Sequence, residues 1–184
     1  MKLTKLFTMA AVAVLGVNAA QAEMGNFGDR FRADRDNTEK FGDKEFNFDA
    51  FGTYQAGERK FSSFPNTNIR HGKFGGGVGV NYFFMKNLGL GSDINIGDNG
   101  GNFVDSLSAS FIARFPFEPV GLSPYIFAGG GRQFDPAWIW SAHIGGGLEY
   151  RLNHNTGIFT DARFVFADKI QDYVLIRAGI RLGF

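Results

Sequence analysis

A period of two governs this chain from residue 44 to its end. Its last segment shows the pattern best. Val174, Ile176, Ala178, Ile180, Leu182 and Phe184 fall on one parity; Tyr173, Leu175, Arg177, Gly179, Arg181 and Gly183 fall on the other. Successive side chains of a β-strand point to opposite faces, so strict alternation predicts a strand between two different surroundings. An α-helix would need its apolar positions three and four apart.

Seven earlier segments repeat the pattern. In the first, Phe46, Phe48, Ala50 and Tyr54 oppose Glu45, Asn47, Asp49 and Thr53. In the second, Phe74, Val78, Val80, Tyr82 and Phe84 oppose Lys73, Gly75, Gly77, Gly79 and Asn81. The third sets Leu88, Leu90, Ile94 and Ile96 against Asp93 and Asn95. The fourth runs from Ser106 to Phe117 and sets Phe111, Phe115 and Phe117 against Ser108, Ser110 and Arg114. The sixth sets Trp138, Trp140, Ile144 and Leu148 against Ser141, His143, Glu149 and Arg151; the seventh sets Ile158, Phe164 and Phe166 against Asp161 and Arg163. The fifth, Leu122 to Gln133, allows two facings. Either Ile126 and Ala128, or Tyr125 and Phe127, take the apolar side.

Turn-forming residues separate the segments: Glu58–His71 with Pro65-Asn66, Lys86-Asn87, Gly97–Asn102, Glu118–Gly121, Gln133–Ala137, Asn153–Thr156 and Ala167–Asp172. Eight strands of about 11 residues fit between residues 44 and 184 with a few residues left for each connection.

Two all-β architectures suit such a pattern. A soluble barrel or sandwich points its apolar parity inward. A membrane barrel points it outward to lipid and keeps small and polar residues inside. Composition favours the second. The chain of 184 residues holds 26 Gly and 22 Phe. The polar parity is not a solvated surface of Lys and Glu. It is Gly, Ser, Asn and charges of both signs, as a crowded interior requires. Aromatics also gather toward strand ends: Phe46, Phe84, Phe117, Tyr150 and Phe184 at one rim, Trp138, Trp140, Phe103 and Phe166 at the other. A bilayer selects such girdles at its two interfaces. The expected fold is an all-β, eight-stranded, antiparallel up-and-down transmembrane β-barrel. Closure matters because no strand edge can stay unpaired in hydrocarbon.

The N-terminus carries an export signal. Lys2 and Lys5 precede an apolar run from Leu6 to Val17, and Ala20-Gln21-Ala22 supplies a small-x-small cleavage site. Residues 1–22 are read as a cleaved signal peptide, residues 23–43 as a charged periplasmic segment, and residues 44–184 as the barrel. The absence of Cys excludes disulfides and cysteine metal sites. A formal charge of +1 gives no basis for a nucleic-acid partner.

The final strand, Tyr173 to Phe184, resembles the C-terminal assembly signal of bacterial outer-membrane β-barrels, which end in an aromatic after alternating apolar residues. Ser123-Pro124-Tyr125-Ile126-Phe127-Ala128-Gly129 resembles the entry to a middle strand in small barrels of this type. The resemblance implies the eight-stranded outer-membrane barrel family over residues 44–184. It implies outer-membrane lipid as surroundings and the barrel assembly machinery as a partner during biogenesis, with Phe184 as the recognised end.

Several constellations carry residue types used in chemistry. Gly75–Gly77, Gly129–Gly131 and Gly145–Gly147 match no phosphate-binding fingerprint and open no helix. Their simplest role is to relieve crowding in a small barrel. Ser141, His143, Glu149 and Asp161 have the residue types of a hydrolase triad, but no nucleophile-elbow pattern surrounds the serine. No cofactor, metal or catalytic residue is therefore expected. The inward parity collects Glu45, Asp49, Asp93, Glu149 and Asp161 with Lys73, Arg114, Arg151, Arg163, Arg177 and Arg181. Such a set either lines an ion path or plugs the lumen with salt bridges. Eight strands enclose just enough space for side chains, which favours the plug. Phe61, Phe64 and Ile69, in the longest connection, are candidates for contact with a surface partner. The function expected is a non-enzymatic outer-membrane protein with a structural or surface-interaction role. The alternatives are a narrow porin or lateral channel for small hydrophobic molecules, and a soluble exported lipid-binding barrel.

Overall fold

The computed structural model describes residues 40–56, 73–97, 104–134, 138–167 and 172–184, with Lys73 and Ala167 described by backbone alone. The eight strands are β1 (Glu45–Ala56), β2 (Lys73–Met85), β3 (Leu88–Gly97), β4 (Ser106–Arg114), β5 (Leu122–Gln133), β6 (Ile139–Arg151), β7 (Thr156–Ala167) and β8 (Tyr173–Gly183). Each pairs antiparallel with its sequence neighbour, and β1 also pairs with β8, so the sheet closes on itself. Among the described residues there is no helix. Two ends can be told apart. At the turn end lie Lys86-Asn87, residues 115–121 and residues 152–155, beside the start of β1 and the end of β8. The connections at the other end, the loop end, include residues 57–72.

The alternation read from sequence is the facing of the barrel. Phe111, Ile144, Ile158 and Ile180 are exposed on the outside, while Asn47, Asp49, Asp93, Ser108 and Asp161 are buried within. The two facings of β5 are resolved: Ile126 is 58% exposed, whereas Tyr125 and Phe127 are each 4% exposed and point inward. One expected extent was too long. The β4 ladder stops at Arg114 rather than Phe117. Pro116 has no N–H to give the ladder, and pairing resumes only as a single bridge between Phe117 and Leu122. Gly121 closes that turn at φ +72°, where a Cβ would also strike the Arg151 carbonyl at 2.8 Å.

The lumen contains more than polar groups. Phe51, Phe83, Tyr125, Phe127 and Phe159 are buried in it. Each faces a glycine across the ladder: Phe51 with Gly77, Phe83 with Gly89, Tyr125 with Gly147, Phe127 with Gly145 and Phe159 with Gly179. The pairing is steric. A Cβ on Gly145 would lie 2.5 Å from the Phe127 ring, and one on Gly77 2.6 Å from the Phe51 ring. An aromatic laid over a cross-strand glycine fills the space that the missing side chain leaves. Five of the glycines and five lumen aromatics are thus two halves of one packing scheme.

Candidate functional site

The lumen charges come from strands on all sides of the barrel, and closure and register together decide which of them meet. At the turn end, Glu45 of β1 is fully buried. It accepts from Arg114 Nη2 of β4 at 2.9 Å and from Arg151 of β6. Arg151 also pairs with Glu149 and donates to Asn47 Oδ1 at 3.0 Å. Glu149 accepts from Arg181 Nη1 at 2.5 Å. Arg181 grips both oxygens of Asp49 at 2.7 Å, and Asn81 Nδ2 donates to Asp49 Oδ2 at 2.8 Å. This makes one unbroken chain of contacts across the barrel. Phe41, just ahead of β1, is fully buried beneath it, with the Arg114 and Arg151 guanidinium carbons 5.2 and 5.4 Å from its ring centre. The Gly42 carbonyl accepts from Arg114 Nη2 at 3.0 Å.

A second cluster lies farther along the axis. Asp93 accepts from Arg163 Nη2 at 2.6 Å, from Ser108 Oγ at 2.8 Å and from Asn95 Nδ2 at 3.1 Å, and it pairs with Arg177 Nη1 at 3.1 Å. Asp161 accepts from Arg177 Nε and Nη2, both at 2.8 Å, and from the Tyr125 hydroxyl at 2.8 Å. Bidentate guanidinium–carboxylate geometry is the strongest form of such a bond. The lumen aromatics lie among the cations: Arg177 sits 4.9 Å from the Phe51 ring centre and Arg181 4.9 Å from that of Phe159. These contacts line guanidinium faces that form no hydrogen bonds.

The last strand is held from both sides. Arg181 faces Asp49 directly in the β1–β8 ladder, and Arg177 faces Asp161 in the β7–β8 ladder. A slip of one residue would turn both arginines out of the lumen. The salt bridges therefore hold the register of the closing seam as well as filling space.

Ten of the eleven expected lumen charges are brought together in this way. Lys73 begins β2 on the same parity, and its side chain lies outside the described residues, as do Phe61, Phe64 and Ile69. Phe184 directly follows β8. The serine and histidine that share residue types with a hydrolase triad do not bond each other. His143 Nε2 lies 2.8 Å from Ser110 Oγ of β4, not from Ser141. Both Ser110 and His143 face Gly129 of the intervening β5, and the missing side chain there lets them meet across it.

The sequence reading had no role for Phe41, Gly42, Asn47, Asn81, Ser108 or the Tyr125 hydroxyl. Parity places Asn47, Asn81 and Ser108 on the face of the acids but does not say which charge each one bonds. Phe41 and Gly42, a few residues ahead of β1, carry no periodic signal.

No protein-family profile matches the chain, and no curated protein matches it. Solved structures do. The N-terminal β-barrel domain of Pseudomonas aeruginosa OprF is similar at 19% identity and a TM-score of 0.60, over 78% of this chain and 99% of that one. Neisserial surface protein A is similar at 16% identity and 0.54, over 76% and 96%. Ail, the attachment invasion locus protein of Yersinia pestis, is similar at 15% identity and 0.53, over 77% and 99%. The chain thus has the fold of the small eight-stranded outer-membrane β-barrels. It is a closed, antiparallel up-and-down barrel with its apolar parity outside and its charges within.

Proposed function

We propose that this protein is a non-enzymatic integral outer-membrane barrel whose lumen is a solid, ion-paired plug. It would act as a structural element or through its surfaces rather than as a conduit. The observation that carries this reading is the pairing of Glu45, Asp49, Asp93, Glu149 and Asp161 with five arginines across the interior. A conducting lumen needs mobile charges and water along its axis, whereas here every one of these groups is tied to a partner on another strand or on its own.

The outward apolar face supports membrane insertion over a soluble carrier. Phe111 at 50% and Ile144 at 55% exposure would be costly in water but favourable in hydrocarbon. With the turn end toward the periplasm, the loop end faces outward, and Phe61, Phe64 and Ile69 are the candidates for partner contact there. The signal peptide would be cleaved after Ala22, residues 23–43 would lie on the periplasmic side, and Phe184 would end the signal read by the assembly machinery.

Membrane fractionation with gel migration before and after boiling tests the reading. The mature chain should begin near Glu23, sediment with the outer membrane and migrate faster unboiled. Recovery of folded chain in the soluble periplasmic fraction would contradict it.

A further inference from the structure

Five of the six described arginines point into the lumen and hold carboxylates. Arg132 does neither. It lies near the loop end of β5 on the outward parity, shared with Ile126 and Ala128. Among the described residues it has no ion pair, and its Nε has no hydrogen-bond partner. Asp105, just ahead of β4, bonds Asn95 and Phe134 through its backbone.

What surrounds Arg132 is aromatic. Trp140 faces it across the β5–β6 ladder. Its guanidinium carbon lies 5.0 Å from the Trp138 ring centre and 5.6 Å from that of Trp140. Phe134 packs edge-on against Trp138 at 5.5 Å between centres and an interplanar angle of 79°. The two indoles are 68% and 69% exposed. On its other side Arg132 faces Leu107 of β4, which is itself exposed on the apolar belt.

A guanidinium over aromatic rings keeps its N–H edge free, and that planar fork matches the oxygens of a phosphate. Tryptophans mark the depth of the headgroups. An arginine on the lipid face is tolerated at that depth because it can reach phosphate there. We propose that Arg132, Trp138 and Trp140 form a binding site for a phosphate group carried on a lipid headgroup in the leaflet that surrounds the loop end. A lipid, rather than a soluble anion, is the occupant because the site is continuous with the apolar outer face through Leu107 and Ile126. The inference rests on the membrane reading above.

Trp138 and Trp140 are the only tryptophans in the chain, so their fluorescence reports on this site alone. The full mature chain is folded in maltoside micelles, which carry no phosphate, and folding is checked by heat-modifiable migration. Diphosphoryl lipid A is then titrated, with diacylglycerol and inorganic phosphate as separate arms. A saturable emission change with lipid A alone is expected. Arg132→Gln should weaken it about tenfold, the effect of losing one charge-assisted hydrogen bond. Arg132→Lys should fall between, since it keeps the charge without the fork. Equal midpoints for the unmutated chain and Arg132→Gln would overturn the site. The same change with inorganic phosphate would overturn the lipid as its occupant. A chain that never becomes heat-modifiable would instead contradict the membrane reading, and the inference would fall with it.

Discussion

The two ends of the lumen are fastened by different chemistry. At the turn end, Glu45, Glu149 and Arg151 are fully buried and share their bonds in a continuous chain, with Phe41 beneath them. Toward the loop end, Gln133 Nε2 donates to the Tyr173 hydroxyl at 3.1 Å beside an apolar cluster of Val165, Tyr173 and Leu175. The turn end thus depends on charges that are tolerable only when matched. The other depends on a neutral bond and on packing, each of which can be weakened singly. The difference is one of consequence: a charge left alone in the interior is far more costly than an amide left alone.

The largest effect should come from unmatching the turn end. Arg151→Ala removes the cation shared by Glu45 and Glu149, leaving them only Arg114 and Arg181, and should destabilise the barrel by about 3–5 kcal/mol. Equilibrium urea unfolding in lipid vesicles reads this. A loss under 1 kcal/mol would mean that water already solvates the cluster. Next comes a change on the opposite face. Ile144→Arg places a cation against hydrocarbon near mid-strand and should cost about 2–4 kcal/mol in the same assay. Spin labels at Ile144 and Ser141 sharpen this contrast: the first should be relaxed by lipid-soluble oxygen, the second should not. The smallest effect belongs to the loop end. Tyr173→Phe removes one neutral hydrogen bond and should cost about 1 kcal/mol. If it matched Arg151→Ala, the proposed asymmetry would be lost.

Much of this could be read from the sequence because a barrel repeats one rule. Parity separated the two faces on seven strands, and connection chemistry separated the strands. Parity failed on β5 because Tyr125, Ile126, Phe127 and Ala128 are all apolar enough for either side. The structure settles it through glycine: Tyr125 and Phe127 face Gly147 and Gly145, where only an inward ring has room. The lumen acids and arginines were visible as a set, but their partners were not. Pairing Asp49 with Arg181 needs the closure of β1 on β8, which joins residues 132 positions apart. Ser110 and His143 likewise meet only once β4, β5 and β6 are curved around a common axis. The stop at Arg114 was readable from Pro116, but the apolar parity of Phe115 and Phe117 outweighed it.

In the proposed reading the arginine–carboxylate chain closes the lumen. Single-channel recording of the purified unmutated protein in planar bilayers should then show a flat baseline, with small leak steps appearing in Arg151→Ala as the turn-end pairs are lost. A steady, large conductance from the unmutated protein would contradict it.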